Sequence, residues 1–356
     1  MAGLVTSVRL RELGVSAVTH ERGDRPGGSM LLSSCVIWRH REWTDFRREC
    51  PTGDEALQRL VWERLDGALD WLRSQGAEPT ETDTGNPLTK GMRFDPGSLA
   101  ELLAGRVADL RMGEPVAAAA GRPLVLCTGG FGASRELVDR YIGPAAPLRL
   151  RANRWSQGDG LQVGLGRGAA LSAGLDEFYG RNMPDAHWDE SGLVPLSQLY
   201  ARFARIFDER GEEFFAAEDV TWSETNVVEA TAHRPGARAY YLLDEQGLLG
   251  EVRGRSVSEI VAAAPASAKV APHDLPFAAP AGTVAAVRVV ASITHTIGGL
   301  RVDERARVLA EDGGALPELW AAGVDAGGVA TGGYASGLAQ ALVLGLAAAE
   351  DVAAGV

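Results

Sequence analysis

The run ITHTIGG, from Ile293 to Gly299, sets one imidazole between two hydroxyls and follows it with a pair of glycines. A fixed imidazole beside a hydroxyl suits an oxygen on which negative charge builds, as happens when a hydride enters or leaves next to a carbonyl. His295 and Thr296 are therefore candidate catalytic residues. Gly298 and Gly299 carry no side chains, so the backbone there can come close to a flat ligand. The alternative is a core histidine bonded to backbone.

Other stretches carry binding chemistry. VSAVTHE is a short strand ending on Glu21, eighteen residues after Gly3. In a dinucleotide fold an acidic side chain at this place accepts hydrogen bonds from both ribose hydroxyls, about twenty residues beyond the Gly-rich turn. A solvated glutamate at a strand end is the other reading. RPGGSM follows directly; Gly27 and Gly28 let the backbone approach a cofactor, with Ser29 to hydrogen-bond it, unless this is an ordinary turn. RPLVLCTGGFG is a continuous apolar run that ends in glycines, as buried parallel strands do. His20, His40, His187, His233 and His273 show no metal-ligand spacing. Cys35, Cys50 and Cys127 form no CxxC pair and are odd in number, which points to a reducing compartment and away from disulfides or zinc.

These residues need elements to hold them. DEALQRLVWERLDGALDWLRSQG is a strongly amphipathic helix closed by Gly76, SLAELLAGRVADL a second, and SQGDGLQVGLGRGAAL a helix opened by glycine. From about Gly174 to Thr283 aromatics and turn residues take over, and then TVAAVRVVASITHT returns to strand. The expected fold class is α/β: a nucleotide-binding domain, 1–170 and 283–356, interrupted by an α+β module, 171–282. With 356 residues, 46% of them hydrophobic, two domains are expected. A net charge of −12 and no dense Lys/Arg run exclude nucleic acid as a partner. Arg9, Arg11 and Glu12 interrupt the first apolar run, which excludes a secretory signal. No apolar stretch is expected to reach the length of a membrane span, GLAQALVLGLAAAEDVAAGV being short and Gly-broken. The chain is expected to be cytoplasmic.

Taken together, ERGDRPGGSM, LCTGGFG, QGDGLQVGLGRGA, THTIGGLRVD, LWAAGVDAGG and GGYASGLAQALVLG resemble the flavoprotein family of fumarate reductases, succinate dehydrogenase flavoprotein subunits and 3-ketosteroid dehydrogenases. The resemblance spans nearly the whole chain and is best outside residues 170–285. It implies non-covalent FAD in a Rossmann-like domain, an inserted capping domain, and hydride transfer between flavin N5 and an activated carbon of a small-molecule substrate. It also implies an electron donor or acceptor that the sequence does not name. On the matching motifs the cofactor residues are Gly3, Glu21, Arg22, Gly27, Gly28, Ser29, Thr128, Gly129, Gly130, Asp159, Gly298, Gly299, Gly323, Asp325, Ser336, Gly337 and Leu338. Asp325 would reach the ribityl chain or the pyrophosphate side. His295 would bind a substrate carboxylate or carbonyl oxygen together with Thr296.

Two departures from the family pattern matter. Only MAGL stands where the family has a strand and Gly-x-Gly-x-x-Gly, so a natural chain with about 10–15 further residues before Met1 is expected, since a βαβ crossover needs a strand at each end. The stretch 104–123 is also short for the family. Secondly, RGEEFF carries Glu213 where fumarate reductases carry an arginine proton donor, which argues against fumarate. By the same resemblance Tyr334 is the expected proton carrier, and Tyr179 and Arg181 stand where a cap-edge residue lies over the substrate. The rival expectation is a degenerate member without FAD, acting as a cofactor-free isomerase, cyclase or binding protein.

Overall fold

The computed structural model describes residues 1–115 and 123–355. In chain order the elements begin with helix α1 (Ala2–Glu12), strand β1 (Thr19–Glu21), β2 (Val36–His40), α2 (Trp43–Glu49), α3 (Glu55–Ser74), β3 (Thr89–Arg93), α4 (Pro96–Ala104), β4 (Leu110–Met112) and β5 (Leu124–Leu126). There follow α5 (Arg135–Tyr141), β6 (Arg149–Leu150), α6 (Asp159–Gly166), β7 (Phe178–Pro184), β8 (Arg205–Phe207), β9 (Glu213–Phe215), α7 (Thr225–Ala232), β10 (Arg238–Leu243) and α8 (Glu245–Leu248). The chain closes with β11 (Glu251–Val252), β12 (Arg255–Ser256), α9 (Val257–Ala263), β13 (Lys269–Val270), β14 (Ala285–Thr296), β15 (Arg307–Leu309), β16 (Ala315–Ala321) and α10 (Gly337–Ala354).

The chain divides into two compact units. The first holds residues 1–137, 152–177 and 295–356; the second holds 138–151 and 178–294. These boundaries differ from the expected ones for a reason of pairing. Segment 138–151 leaves the first unit because β6 pairs in parallel with β14, Arg149 opposite Ser292. Residues 283–294 leave it because β14 lies antiparallel to β10 along the whole of that strand. Of the short stretch 104–123, β4 is placed beside β1 in parallel, and 116–122 lie outside the described residues.

In the first unit three helices pack together. α3 starts on Asp54, whose side chain accepts from Leu57 N at 3.0 Å, and its stripe of Leu57, Val61, Leu65, Leu69 and Leu72 is buried. That spacing of three and four residues puts one apolar face toward the core. α10 starts on Ser336, whose hydroxyl accepts from Ala339 N at 3.2 Å. It is buried nearly all round, from Ala339 through Leu342, Leu344 and Leu346 to Val352. Here the sequence expectation is corrected: α10 has 18 residues at a mean hydropathy of 1.4, long and apolar enough to cross a membrane, and it is 61% buried in protein. Thr6 of α1 donates to Gly345 O at 3.0 Å, so the two helices touch backbone to side chain. Beside them β5 runs parallel to β16, which pairs antiparallel with β15.

The second unit is built on a seven-stranded sheet in the order β13-β14-β10-β8-β9, with β6 and β7 also on β14. The two-residue period of a strand sends Val287 and Val289 to one face and Ala286 to the other. The first face meets Tyr200, Tyr241, Val227 and Ile260; the second meets Phe207, Tyr240 and Leu242.

Leu65 is wholly buried in α3. Leu65→Ala is expected to lower the unfolding free energy by about 2–5 kcal/mol, the usual loss for a core leucine. Urea denaturation checks it, with the cooperativity of the transition unchanged.

Candidate functional site

Strand β5 delivers the turn Thr128-Gly129-Gly130, and a single carboxylate holds that turn. Asp325 is 1% exposed. Its Oδ1 accepts from Thr128 Oγ1 at 2.9 Å and from Gly130 N at 3.0 Å, while its Oδ2 accepts from Thr128 N. Thr128 Oγ1 in turn accepts from Gly160 N at 2.9 Å, at the start of α6. Burial pushes the Asp325 carboxyl up from its ordinary range, and the Thr128 and Gly130 donors pull it back. Both oxygens of Asp325 accept from the turn, and the residue positions it.

Thr296 ends β14 and is 2% exposed. Its Oγ1 is buried and has no hydrogen-bond partner among the described residues. A Cβ on Gly130 would stand 2.7 Å from that oxygen, so glycine is required for the hydroxyl to lie against the turn. Gly130 also has φ +74°, which other residues rarely adopt. A buried hydroxyl without a partner is costly unless a ligand supplies one.

His295, half-buried, sits beside it. Its Nδ1 lies 3.2 Å from the carbonyl oxygen of Thr296. A carbonyl only accepts, so Nδ1 carries the proton in that bond and Nε2 keeps its lone pair. Burial pushes the imidazole down to about 4, so it is neutral near pH 7. Nε2 is 3.1 Å from the place a Cβ on Gly337 would take, at the first residue of α10. The positive end of that helix favours the neutral ring as well.

The glycine pair after His295 packs on protein. A Cβ on Gly298 would stand 2.5 Å from Leu175 N, and one on Gly299 would stand 2.7 Å from Asp325 O and 2.9 Å from Val324 O. Their lack of side chains is already demanded by the backbone of 174–175 and 324–327. Gly323 O accepts from Gln340 Nε2 at 2.9 Å, and Gly337 and Leu338 form the first turn of α10 behind its cap Ser336. Gly3, within α1, faces Cys127.

The segment 21–29 makes a second group. Glu21 Oε1 accepts from Gly23 N at 2.7 Å, and Oε2 meets no protein donor among the described residues. Arg22 Nη1 grips both oxygens of Asp159, at 2.8 and 2.7 Å. Gly27 and Gly28 lead into a short 3-10 turn, and Ser29 Oγ accepts from Asn153 N at 3.2 Å. Trp155 was missed by sequence reasoning: its Cδ1 is 2.8 Å from where a Cβ on Gly23 would be, with Arg22 and Arg154 over the ring. Its place four residues before Asp159 in RWSQGD was the one signal available.

Tyr334 is half-buried and edge-on to Trp38, ring centroids 5.7 Å apart. The two expected cap residues lie in the second unit. Arg181 is only 4% exposed, donates to Ser223 O, and stacks over Tyr179 at 4.7 Å. Burial raises Glu224 there to about 7, and Arg181 opposes that rise. Arg181 is therefore an inward-facing cation of its unit. No group of three or more metal-ligating side chains occurs among the described residues.

Residues 93–338 match the family described as FAD binding domain. The fold is similar to that of a flavocytochrome c3 fumarate reductase in an open conformation, at 18% identity and a TM-score of 0.70, over 99% of this chain and 76% of that one. It is similar to 3-ketosteroid-Δ4-(5α)-dehydrogenase from Rhodococcus jostii in complex with 4-androstene-3,17-dione, at 16% identity and a TM-score of 0.72, over 99% and 94%. A 3-ketosteroid Δ1-dehydrogenase from Sterolibacterium denitrificans gives 14% and 0.69, over 100% and 98%. At these identities the likeness is one of fold.

Asp325→Ala leaves Thr128 N and Gly130 N without their acceptor, each worth about 1–3 kcal/mol when buried. The variant is expected to be less stable by about 2–5 kcal/mol in urea; a loss near zero would mean that water replaces the carboxylate freely. His295 predicts a pH effect. The unfolded imidazole takes a proton below about 6.5, whereas the folded one resists until about 4. Acidification therefore stabilises the unfolded chain across that window, and the loss levels off below it. Going from about pH 8 to about pH 5, wild type is expected to lose about 1–2 kcal/mol more than His295→Gln. Equal losses in the two proteins would place the titration elsewhere.

Proposed function

We propose, from the premise that this chain belongs to the FAD binding domain family, that it is an FAD-dependent oxidoreductase moving a hydride at a CH–CH or enone-type bond beside a carbonyl. The family is one of FAD-dependent oxidoreductases, its cofactor is FAD, and its fold is a flavoprotein fold of mixed α/β content. The finer reading is a Rossmann-like FAD-binding domain made by the first unit and a capping domain made by the second. Family membership favours this over the cofactor-free alternative.

The residues present fit FAD. Glu21 has an oxygen to spare at a strand end, the Thr128–Gly130 turn is held open by Asp325, and Thr296 offers a buried hydroxyl without a partner. Glu21 would hold the ribose hydroxyls, and Ser29, Thr128 and Asp159 would line the path toward the reacting end. Bound FAD supplies the redox chemistry, by taking up or giving out a hydride.

The chain's own residues divide the rest. Thr296 Oγ1 donates to the substrate oxygen, where charge develops, because a hydroxyl with no internal partner is free to do so. His295, neutral and oriented by the bond from its Nδ1 to the Thr296 carbonyl, binds the substrate beside that hydroxyl. Tyr334 gives or takes the proton that accompanies the hydride, its ring fixed by Trp38. Tyr179 is the second choice, its ring face being taken by Arg181. Glu213 is bound to Arg205 on β9 and β8, which leaves no arginine at that place to clamp a dicarboxylate. The steroid dehydrogenases similar in fold are named with dione ligands, and a conjugated ketone is accordingly the substrate class we favour. Three free cysteines suit a reducing, cytoplasmic setting.

The observation that carries the reading is the orphaned Thr296 hydroxyl beside a neutral His295. The protein reconstituted with FAD is expected to be yellow and to have its flavin bleached by a saturated ketone of this class, or reoxidised by the enone. His295→Ala is expected to keep the flavin and slow that step by about tenfold or more, the loss of one hydrogen bond to substrate. Stopped-flow absorbance under anaerobic conditions measures it. A variant as fast as wild type makes His295 structural, and a variant that loses flavin moves it into the cofactor shell.

A further inference from the structure

The second unit concentrates positive charge at one point. Asp185, just past β7, is 8% exposed and meets three guanidiniums. Arg149 Nη2 lies 3.1 Å from its Oδ1; Arg238 Nε donates to its Oδ2 at 2.7 Å, and Arg288 Nε stands 3.1 Å from the same oxygen as an ion pair without a hydrogen bond. Adjacent strands deliver them. β6 and β10 both pair with β14, and Arg288 stands opposite Tyr240, two residues from Arg238 on the same face.

One carboxylate balances one guanidinium and Glu209 offsets part of the charge on Arg238, so net positive charge remains here, on a chain whose net charge is −12. Glu209 stands across Gly236 from Arg238 and forms no ion pair with it among the described residues. The three arginine side chains are 39%, 37% and 37% exposed. Arg149 spends Nη1 on Ala186 O at 2.6 Å, and Arg238 spends Nη1 on Gly236 O at 3.5 Å. Nη2 of Arg238 and both terminal nitrogens of Arg288 meet no acceptor among the described residues.

Bracing the strand ends needs one ion pair. Two further guanidiniums on the same carboxylate repel each other, and an anion across their outer edges would relieve that repulsion. Planar guanidinium forks suit a tetrahedral or planar oxyanion in particular. We propose that Arg149, Arg238 and Arg288 form a binding site for a small doubly charged oxyanion of the phosphate type, with Asp185 fixing the three side chains from beneath.

Calorimetric titration of the full-length chain, with inorganic phosphate as the probe in chloride buffer, tests this. Saturable binding is expected, weakened about tenfold or more in Arg288→Gln, since a charge-assisted hydrogen bond contributes about 1.5–3 kcal/mol. Arg288→Lys, which keeps the charge and loses the fork, is expected to fall between the two. Arg205→Gln, on the same sheet and paired with Glu213, is expected to bind as wild type. Circular dichroism establishes that each variant is folded, and Arg149→Gln replaces Arg288→Gln if the latter is not. Absence of saturable binding to wild type, or an unchanged affinity in the folded glutamine variant, overturns the proposal.

Discussion

The buried carboxylate of Asp325 is the interaction on which the first unit depends. It reaches back across nearly two hundred residues of sequence to gather the main-chain donors that end β5. Through Thr128 it also fixes the start of α6. Its own backbone oxygen lies against Gly299 and accepts from Leu300 N at 2.8 Å. Four segments far apart in the chain thus meet at one buried charge. A carboxylate taken out of water is costly, and it is tolerated here because it accepts from two amides and a hydroxyl. The arrangement explains why Gly130 and Gly160 are glycines: a Cβ on either would press on Thr296, Val324 or Asp325 itself.

The division of labour proposed for Thr296 and His295 follows from what each already has. The imidazole spends one nitrogen on a carbonyl, and burial keeps it neutral. The hydroxyl spends nothing. A donor held ready in a dry site gains more from a developing charge than one that must first leave water. The positive end of the long helix beside it favours the neutral imidazole as well.

Much of this was legible in the sequence. Helix α3 announced itself by an unbroken apolar period and an Asp at its start, and CTGG and GVDAGG marked strand ends by their glycines. Other features were hidden because they depend on partners far along the chain. The split at 137 and 152 could not be read from local texture, since a two-residue strand is assigned only by its neighbour on β14. Arg181 stood in the sequence as a residue over substrate, and its bond to the Ser223 carbonyl, 42 residues away, had no local sign. The hold of Asp325 on the Thr128–Gly130 turn was hidden because a carboxylate after an apolar strand reads the same whether it faces a ligand or backbone. The three arginines at Asp185 belong to no local pattern, because strand register brings Arg149, Arg238 and Arg288 to their places.

The pairing of α1 with α10 has a consequence for how the molecule is made. Thr6 finds its partner, Gly345, 339 residues later. On a ribosome the first helix emerges long before the surface that covers Val5 and Val8 exists. Its apolar side is therefore on offer to chaperones, or to other nascent chains, through most of translation. The entropy of closing so long a loop adds little to the equilibrium cost, yet it sets the order of events: the first unit cannot finish until its last helix has been synthesised.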